Sequence, residues 1–214
     1  MIRLARIFAI AGLLACAAAS APASATSLAS LTVDQMVDAS DLVVVGTVRH
    51  VETILDFDGR VYTHVEVEVE RALKGPTEAN DFLTIEVPGG VTTAGDWMLV
   101  PLAPRYSVDE RALLFLAEKR FGSAYGTIGL SLGKYTVKQN PADGADMVVR
   151  FTVPYDRDYD ARFIPNPPPS ERVSLDAMIR AVQTRAELGW DGQAIPGISN
   201  EKLRSINKLQ PGVK

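Results

Sequence analysis

Hydrophobic and charged residues alternate most regularly between positions 61 and 70. Three valines alternate there with three glutamates, as Val65, Glu66, Val67, Glu68, Val69 and Glu70. Alternation with a period of two is typical of a strand that has one buried face. Burying a valine side chain gains roughly 1.5–3 kcal/mol, whereas an unpaired carboxylate strongly resists burial. The pattern therefore predicts a strand whose valines face the core and whose glutamates face solvent.

Other segments rich in β-branched and aliphatic residues predict further strands, with turn residues between them. The predicted strands cover residues 42–54, 61–69, 82–87, 97–102, 111–117, 125–132, 134–138 and 147–153. Gly46 predicts a bend in the first of these strands, and Asp58-Gly59 predicts a hairpin turn after that strand. Residues 140–144 predict a hairpin loop between the last two strands. Because no crossover helices separate the strands, the chain is expected to be mainly β, with an antiparallel barrel or sandwich.

Two helical segments flank the strands. Thr32 and Gln35 form a capping box before a short helix that is expected to end near Ser40. Ser174 precedes a longer helix whose apolar residues recur at helical spacing, namely Leu175, Met178, Ile179 and Val182. A further short helix is expected over residues 200–208.

A proline-rich segment divides the chain. Five prolines between residues 154 and 172 exclude a helix or a central strand there. The predicted organisation is therefore a β-barrel domain with its leading helix over 26–153, a connector over 154–172, and a C-terminal helix and tail over 173–214.

The N-terminus has the pattern of an export signal. A short basic segment containing Arg3 and Arg6 is followed by an apolar run over 7–19 and an A-x-A site that ends at Ala25. This predicts a signal peptide over residues 1–25 and an exported protein, periplasmic or extracellular. In the alternative, Leu13-Leu14-Ala15-Cys16 acts as a lipobox, and Cys16 carries a lipid anchor in the envelope.

Charge and cysteine content limit the partners and the covalent cross-links that are expected for this protein. Without the first 25 residues the chain has 20 basic and 26 acidic side chains. This excess of acid argues against nucleic acid as a partner and gives no attraction to an anionic membrane. The apolar run at the N-terminus is shorter than the roughly 20 residues of a membrane-spanning helix, so no transmembrane span is expected after signal removal. Cys16 is the only cysteine, so no disulfide framework is expected.

Several segments resemble a known family. Residues 40–48 (SDLVVVGTV), 65–69, 71–75 (RALKG) and 109–116 (DERALLFL) occur in an order that resembles a family of uncharacterised exported bacterial proteins. More distantly, this order resembles the netrin-like domains of tissue inhibitors of metalloproteinases. Over about residues 38–137, the resemblance implies an OB fold, a five-stranded Greek-key barrel in which Gly46 suits the bend of the first strand. The N-terminal cysteine of those inhibitors has no counterpart at Thr26, so the resemblance does not extend to their activity.

Residues 129–133 (GLSLG) match the G-x-S-x-G nucleophile elbow of serine hydrolases. That chemistry needs a strand, a sharp turn and a helix around Ser131, followed by a histidine later in the chain. Here residues 134–137 are expected to continue as strand, and His50 and His64 both lie upstream. The favoured interpretation is two glycines that allow a strand to flex.

Two patterns raise the possibility of a metal site. His64 and Glu66 share a strand face that His50 could join, but zinc needs at least three protein ligands. Asp156, Asp158 and Asp160 match the opening of a calcium loop, but the glycine and the glutamate that complete an EF-hand are missing. We therefore predict no catalytic residue, cofactor or metal ligand.

Two loops contain residue types that are common at binding sites. Trp97 ends the loop over 88–97, and Arg105 and Tyr106 lie in the loop over 101–106. They could equally be ordinary core and rim residues. We predict an exported, non-enzymatic binding module for a protein, a peptide or a glycan. The alternative is an exported hydrolase that uses Ser131 or a metal site at His50 and His64.

Overall fold

A computed structural model describes residues 31–119, 124–150 and 171–208. The predicted signal peptide, Cys16 and the three aspartates of the calcium-loop pattern lie outside the described residues, as does most of the connector.

The described chain is mainly β, as predicted, with three helices. The helices are α1 (Val33–Ala39), α2 (Leu175–Leu188) and α3 (Asn200–Lys208). The strands are β1 (Leu42–Leu55), β2 (Val61–Lys74), β3 (Phe82–Pro88), β4 (Gly90–Val91), β5 (Trp97–Met98), β6 (Arg111–Glu118), β7 (Ala124–Thr127), β8 (Lys134–Gln139), β9 (Asp146–Arg150) and β10 (Glu171–Ser174).

The strands form one large mixed sheet and one small ribbon. The eight-stranded sheet has the order β1-β2-β3-β7-β6-β8-β9-β10, β1 also pairs with β6, and the ribbon consists of β4 and β5. The expectation of a wholly antiparallel sheet is wrong, because β3 and β7 pair in parallel. The reason is geometric. The pairings β1–β2–β3–β7–β6–β1 form a circuit of five strands, and an odd number of strands cannot all alternate in direction.

The first half of β1, residues 42–48, and the middle of β6 are buried on both faces and contribute to two apolar clusters. The first, which we call the strand-enclosed core, consists of Leu42, Val44, Val48, Val65, Val67, Val69, Leu83, Ile85, Val87, Ala112, Leu114 and Leu116. The second, the helix-side core, joins residues of α1, α2 and α3 to Val43, Val45, Leu113, Phe115, Tyr135, Val137 and Val148. Burial on both faces explains why these two segments are almost continuously apolar instead of alternating.

The predicted orientation of β2 is confirmed. Val65, Val67 and Val69 are at most 1% exposed, whereas the intervening glutamates lie on the outer face. Two of these glutamates are ion-paired, because Arg49 Nε donates to Glu68 at 2.6 Å and Arg111 Nη2 donates to Glu70 at 2.9 Å. Arginines from β1 and from β6 therefore neutralise much of the acidic face.

Several local predictions are also confirmed. The Thr32–Gln35 capping box begins α1, and the β1–β2 register shifts between Val45 and Gly46. The four apolar residues predicted to face the core from the longer helix are all buried in α2. The predicted 200–208 helix is α3.

Other boundaries differ from the prediction. The strand expected over 97–102 is reduced to the two residues of β5, and the one expected over 125–132 ends at Thr127 and is followed by a 3-10 turn over Leu130–Gly133. Glu171 and Arg172, which were expected in the connector, begin β10 and pair with β9. The early start of β10 depends on its long-range pairing with β9, which local composition does not encode.

Candidate functional site

The ribbon of β4 and β5 presents Trp97 on a closed hairpin. Gly90 pairs with Met98, and Val91 pairs with Trp97. In the turn, the Thr92 amide donates to the Asp96 carbonyl at 2.8 Å, and the Asp96 amide donates to the Thr92 hydroxyl at 3.0 Å. Since the Thr92 side chain is buried, these bonds hold the turn in one conformation.

The ribbon is anchored to the β1–β2 hairpin through its glycines. The Gly89 amide donates to the Val61 carbonyl at 2.8 Å, and the Thr63 hydroxyl donates to the Gly89 carbonyl at 2.7 Å. A Cβ at Gly90 would lie 2.4 Å from Thr63 Oγ1 and 2.7 Å from Thr53 Cγ2. Only glycine fits at this contact, so the Gly90 side of the ribbon lies directly against the hairpin.

The opposite side of the ribbon carries apolar side chains in solvent. Because side chains alternate along a strand, Val91 and Trp97 point away from the hairpin that Gly90 contacts. Trp97 is 72% exposed, Val91 68% and Leu99 66%. We call these three residues the ribbon patch. Two more apolar side chains, Leu55 and Phe57, are exposed at the tip of the hairpin that anchors the ribbon.

The other two predicted binding residues lie in a different environment. The Tyr106 ring is half-buried and packs against the strand-enclosed core. Its hydroxyl is buried, and this burial raises the pKa of Tyr106. The Arg105 side chain is exposed, and its carbonyl accepts a hydrogen bond from Lys134. Trp97 therefore combines exposure with a rigid support, whereas Tyr106 contributes to the core.

A buried ion pair fixes the loop that carries Arg105 and Tyr106. Lys134 Nζ lies 2.7 Å from Glu110 Oε1 and 4.5 Å from the centre of the Tyr106 ring. The Thr136 hydroxyl donates to the same carboxylate at 2.6 Å. Burial lowers the pKa of Lys134, and the Glu110 carboxylate opposes that shift. The sequence analysis missed this pair because 24 residues separate its members and neither belongs to a motif.

Ser131 lies in the 3-10 turn and not in the flexed strand that was expected. Gly129 and Leu130 both have φ of 57°, and the Ser131 amide donates to the Leu102 carbonyl at 3.0 Å. Strand β8 follows the turn directly, so the helix of a nucleophile elbow does not form there. Within the described residues, no hydrogen bond connects Ser131 to a histidine.

The two histidines face carboxylates on neighbouring strands. His50 is opposite Glu66, and His64 is opposite both Glu52 and Glu86. The nearest approach is 3.5 Å, between His64 Nε2 and Glu86 Oε2. In the part of the chain that the structure describes, no group of three or more His, Cys, Asp or Glu side chains is placed to hold a metal ion.

A further set of buried charges joins the helices to the sheet. Lys74 Nζ donates to the Val37 carbonyl at the end of α1, at 2.6 Å. Next to it, Arg185 of α2 binds Asp38 through two hydrogen bonds of 2.9 and 2.5 Å. Burial lowers the pKa of Lys74 to about 8. Burial also raises the pKa of Asp38, and the bound Arg185 guanidinium offsets part of that increase. The sequence analysis named Lys74 only as part of the segment 71–75 and gave it no role.

The depressed pKa of Lys74 predicts an unusual dependence of stability on pH. The folded-state pKa of about 8 lies below the ordinary 10.5, so between these values the folded protein binds fewer protons than the unfolded chain. The free energy of unfolding should therefore rise with pH over this window, by an amount on the order of 3 kcal/mol. In urea unfolding series from pH 7.5 to 10.5, Lys74→Met should lose the part of this rise that comes from Lys74, whereas the smaller contribution of Lys134, whose pKa burial also lowers, should remain.

The matched control is Arg71→Met, which removes an exposed basic side chain of β2 that does not titrate in this pH window. Its stability should follow the wild-type pH profile. If Lys74→Met and the wild type instead had parallel profiles, the Lys74 ammonium would be better solvated than its burial indicates.

Within the described ranges, no helix combines the length and the apolar character needed to cross a membrane. In comparisons with known proteins, the chain matches no protein-family model and no curated protein sequence.

Proposed function

We propose that this protein is an exported, non-enzymatic binding module that engages a partner through the ribbon patch. The observation that carries the proposal is the exposure of Val91, Trp97 and Leu99 on a ribbon that hydrogen bonds and the close approach of Gly90 hold rigid. A large apolar side chain on a rigid support loses little entropy on binding, and tryptophan is enriched at binding hot spots. Because the neighbours of Trp97 are apolar, a protein or peptide fits this surface better than a glycan.

We propose further that the ribbon is mounted on an OB-type barrel. Three features support this assignment: the circuit of five strand pairings, the parallel β3–β7 pair, and the strand-enclosed core within the circuit. The same arrangement agrees with the resemblance to netrin-like domains. OB folds bind ligands through one sheet face and its rim loops, and the ribbon lies in such a connection, between β3 and β6.

The proposed location is outside the cytoplasm, in the periplasm or beyond the cell. Its support is the pattern of basic, apolar and small residues over 1–25, with cleavage after Ala25. A lipoprotein anchored at Cys16 is the alternative form of the same proposal. N-terminal sequencing of the exported protein separates the two, since a free product would begin at Thr26.

Site-specific photo-cross-linking tests the binding function. A photoreactive phenylalanine analogue at position 97 should give a discrete adduct in the exported fraction, because this side chain lies at the proposed interface. The matched control is the same analogue at Phe82, which is 60% exposed on β3. Once identified by mass spectrometry and purified, the partner should bind Trp97→Ala at least tenfold more weakly than wild type. Equal adduct yields at positions 97 and 82 would contradict the proposal.

A further inference from the structure

The outer half of β1 has one edge without a neighbouring strand. Strand β1 pairs with β2 as far as its last residue, but with β6 only as far as Thr47. A turn at Asp109, where φ is 64°, takes the chain that precedes β6 away from β1. Residues 42–48 are all buried, whereas none of residues 49–55 is buried. Among the described residues, no strand pairs with this second edge beyond position 48. We call residues 50–55 the open edge.

The hydrogen bonds of β2 show which backbone groups point out of the open edge. The Val61 carbonyl accepts a hydrogen bond of 2.8 Å from the Gly89 amide, directly after β3, so the backbone groups of Val61 point toward β3. Because these groups alternate in direction along a strand, those of Tyr62 point toward β1, where Tyr62 lies opposite Ile54. Residues 50, 52 and 54 therefore bond β2. The amides and carbonyls that point outward belong to Val51, Thr53 and Leu55.

A carboxylate without a strong counter-charge lies at the open edge. The Glu52 side chain is 64% exposed on the outer face, and its ion-pair contact is with His50 Nε2 at 3.9 Å. His64, which lies opposite Glu52, approaches Glu86 at 3.5 Å instead. In the ranges that the structure describes, no lysine or arginine forms an ion pair with Glu52 or with Glu66, which lies opposite His50. The outer face beside the edge is therefore acidic.

From the outward backbone groups and this carboxylate we infer that the open edge binds an extended protein segment as an added antiparallel strand, with an arginine or lysine opposite Glu52. An added strand satisfies three amides and three carbonyls, and antiparallel pairing is the more stable kind. Residue 52 bonds β2, so a side chain opposite it on the added strand lies in the closer type of cross-strand pair, where opposite charges stabilise the sheet.

The inferred segment is β-branched and apolar at its other positions. Its side chains would lie opposite Val51, Thr53 and Leu55 on the inner face and Ile54 on the outer face, and residues of this kind favour such strands. The open edge and the ribbon patch consist of different residues. The inference therefore goes beyond the proposed function and does not depend on it.

A second copy of the chain fits the open edge less well. Two copies paired about Thr53 would set each Glu52 against an Ile54, without a counter-charge. Pairing about Glu52 would set two carboxylates against each other, which is unfavourable. Pairing about Val51 would place the end of one strand where β6 of the other copy already pairs with β1.

Synthetic peptides provide the test. The probe is Ser-Val-Ile-Thr-Arg-Val-Ser with blocked termini, whose arginine lies opposite Glu52 when its threonine lies opposite Thr53. One companion is N-methylated at the two valines and the threonine, which would face β1, and another at the isoleucine and the arginine, which would face away. We expect the first companion to bind at least about tenfold more weakly than the probe, and the second to bind within about threefold of it.

Two-dimensional NMR locates the bound peptide. The amide signals of Val51, Thr53 and Leu55 should shift and exchange more slowly with deuterium when the probe is added. A peptide with glutamate in place of arginine should bind at least about fivefold more weakly. Glu52→Gln should lose this preference. The matched control Glu66→Gln removes an exposed acid of the same face, one strand away, and should keep the preference.

Four results would overturn the inference. Equal binding of the two N-methylated peptides would exclude strand addition, and equal binding of the arginine and glutamate peptides would exclude the inferred cation. Slow amide exchange at the open edge without peptide, in a particle that has twice the mass of the chain by light scattering, would assign the edge to a second copy. Absence of any peptide binding would exclude the inferred segment. The position-97 cross-link tests the ribbon patch separately, so a failure of one proposal is distinguishable from a failure of the other.

Discussion

Val67→Asp is expected to lower the free energy of unfolding by about 4 kcal/mol or more, which would leave little or no folded protein. Val67 is completely buried in the strand-enclosed core, opposite Val48 on β1 and Leu83 on β3. A carboxylate there would have no counter-charge and no solvent. The soluble yield and the thermal transition, followed by circular dichroism, measure the effect even if little folded protein remains.

The neighbouring residue provides the control. Glu68 points to the outer face, where its carboxylate accepts a hydrogen bond of 2.6 Å from Arg49. Because both side chains are partly exposed, such a pair contributes about 0–1 kcal/mol. Glu68→Gln should therefore change the free energy of unfolding by less than about 1 kcal/mol. If it were as damaging as Val67→Asp, the assignment of the two faces of β2 would be wrong.

The faces of β2 could be predicted because alternation is a local property. Each valine or glutamate needs only its own position in the strand to decide whether it faces the core. The partner of a strand depends instead on contacts far along the chain. The alternation of valine with glutamate over residues 65–70 therefore indicated which side chains are buried. It could not indicate that β7 pairs with β3 in parallel.

The same distinction applies to the candidate site. Trp97 could be selected by residue type, but its rigid support could not, because Pro88-Gly89-Gly90 matches a simple turn signal. The requirement for glycine at position 90 comes from the hydroxyl of Thr63, 27 residues away along the chain. The ion pairs of Glu68 with Arg49 and of Lys134 with Glu110 likewise join residues that lie 19 and 24 positions apart, and they leave no local pattern.

Gly133→Ala is the second change for which we expect a large effect, a loss of about 3 kcal/mol in the free energy of unfolding. A Cβ at this position would lie 2.7 Å from the Ile128 carbonyl oxygen, 2.8 Å from the Ile128 nitrogen and 2.9 Å from the Phe115 carbonyl oxygen. All three are backbone atoms, so no side-chain rotation can relieve the contact. The 3-10 turn or β6 would have to move, and Phe115 of β6 is fully buried in the helix-side core.

Ser131→Ala separates this packing role from a catalytic one. Ser131 is half-buried, and its link to the neighbouring loop is the backbone hydrogen bond to Leu102, which alanine preserves. We therefore expect a change in stability of less than about 0.5 kcal/mol, together with no labelling of the wild-type serine by a fluorophosphonate probe. A stable Ser131→Ala variant and an unlabelled wild-type serine would together indicate that the glycines of residues 129–133 serve backbone packing in a tight turn. If the probe labelled Ser131, the serine would be activated, contrary to this geometry. If Gly133→Ala were as stable as the wild type, the turn would be more open than it is here.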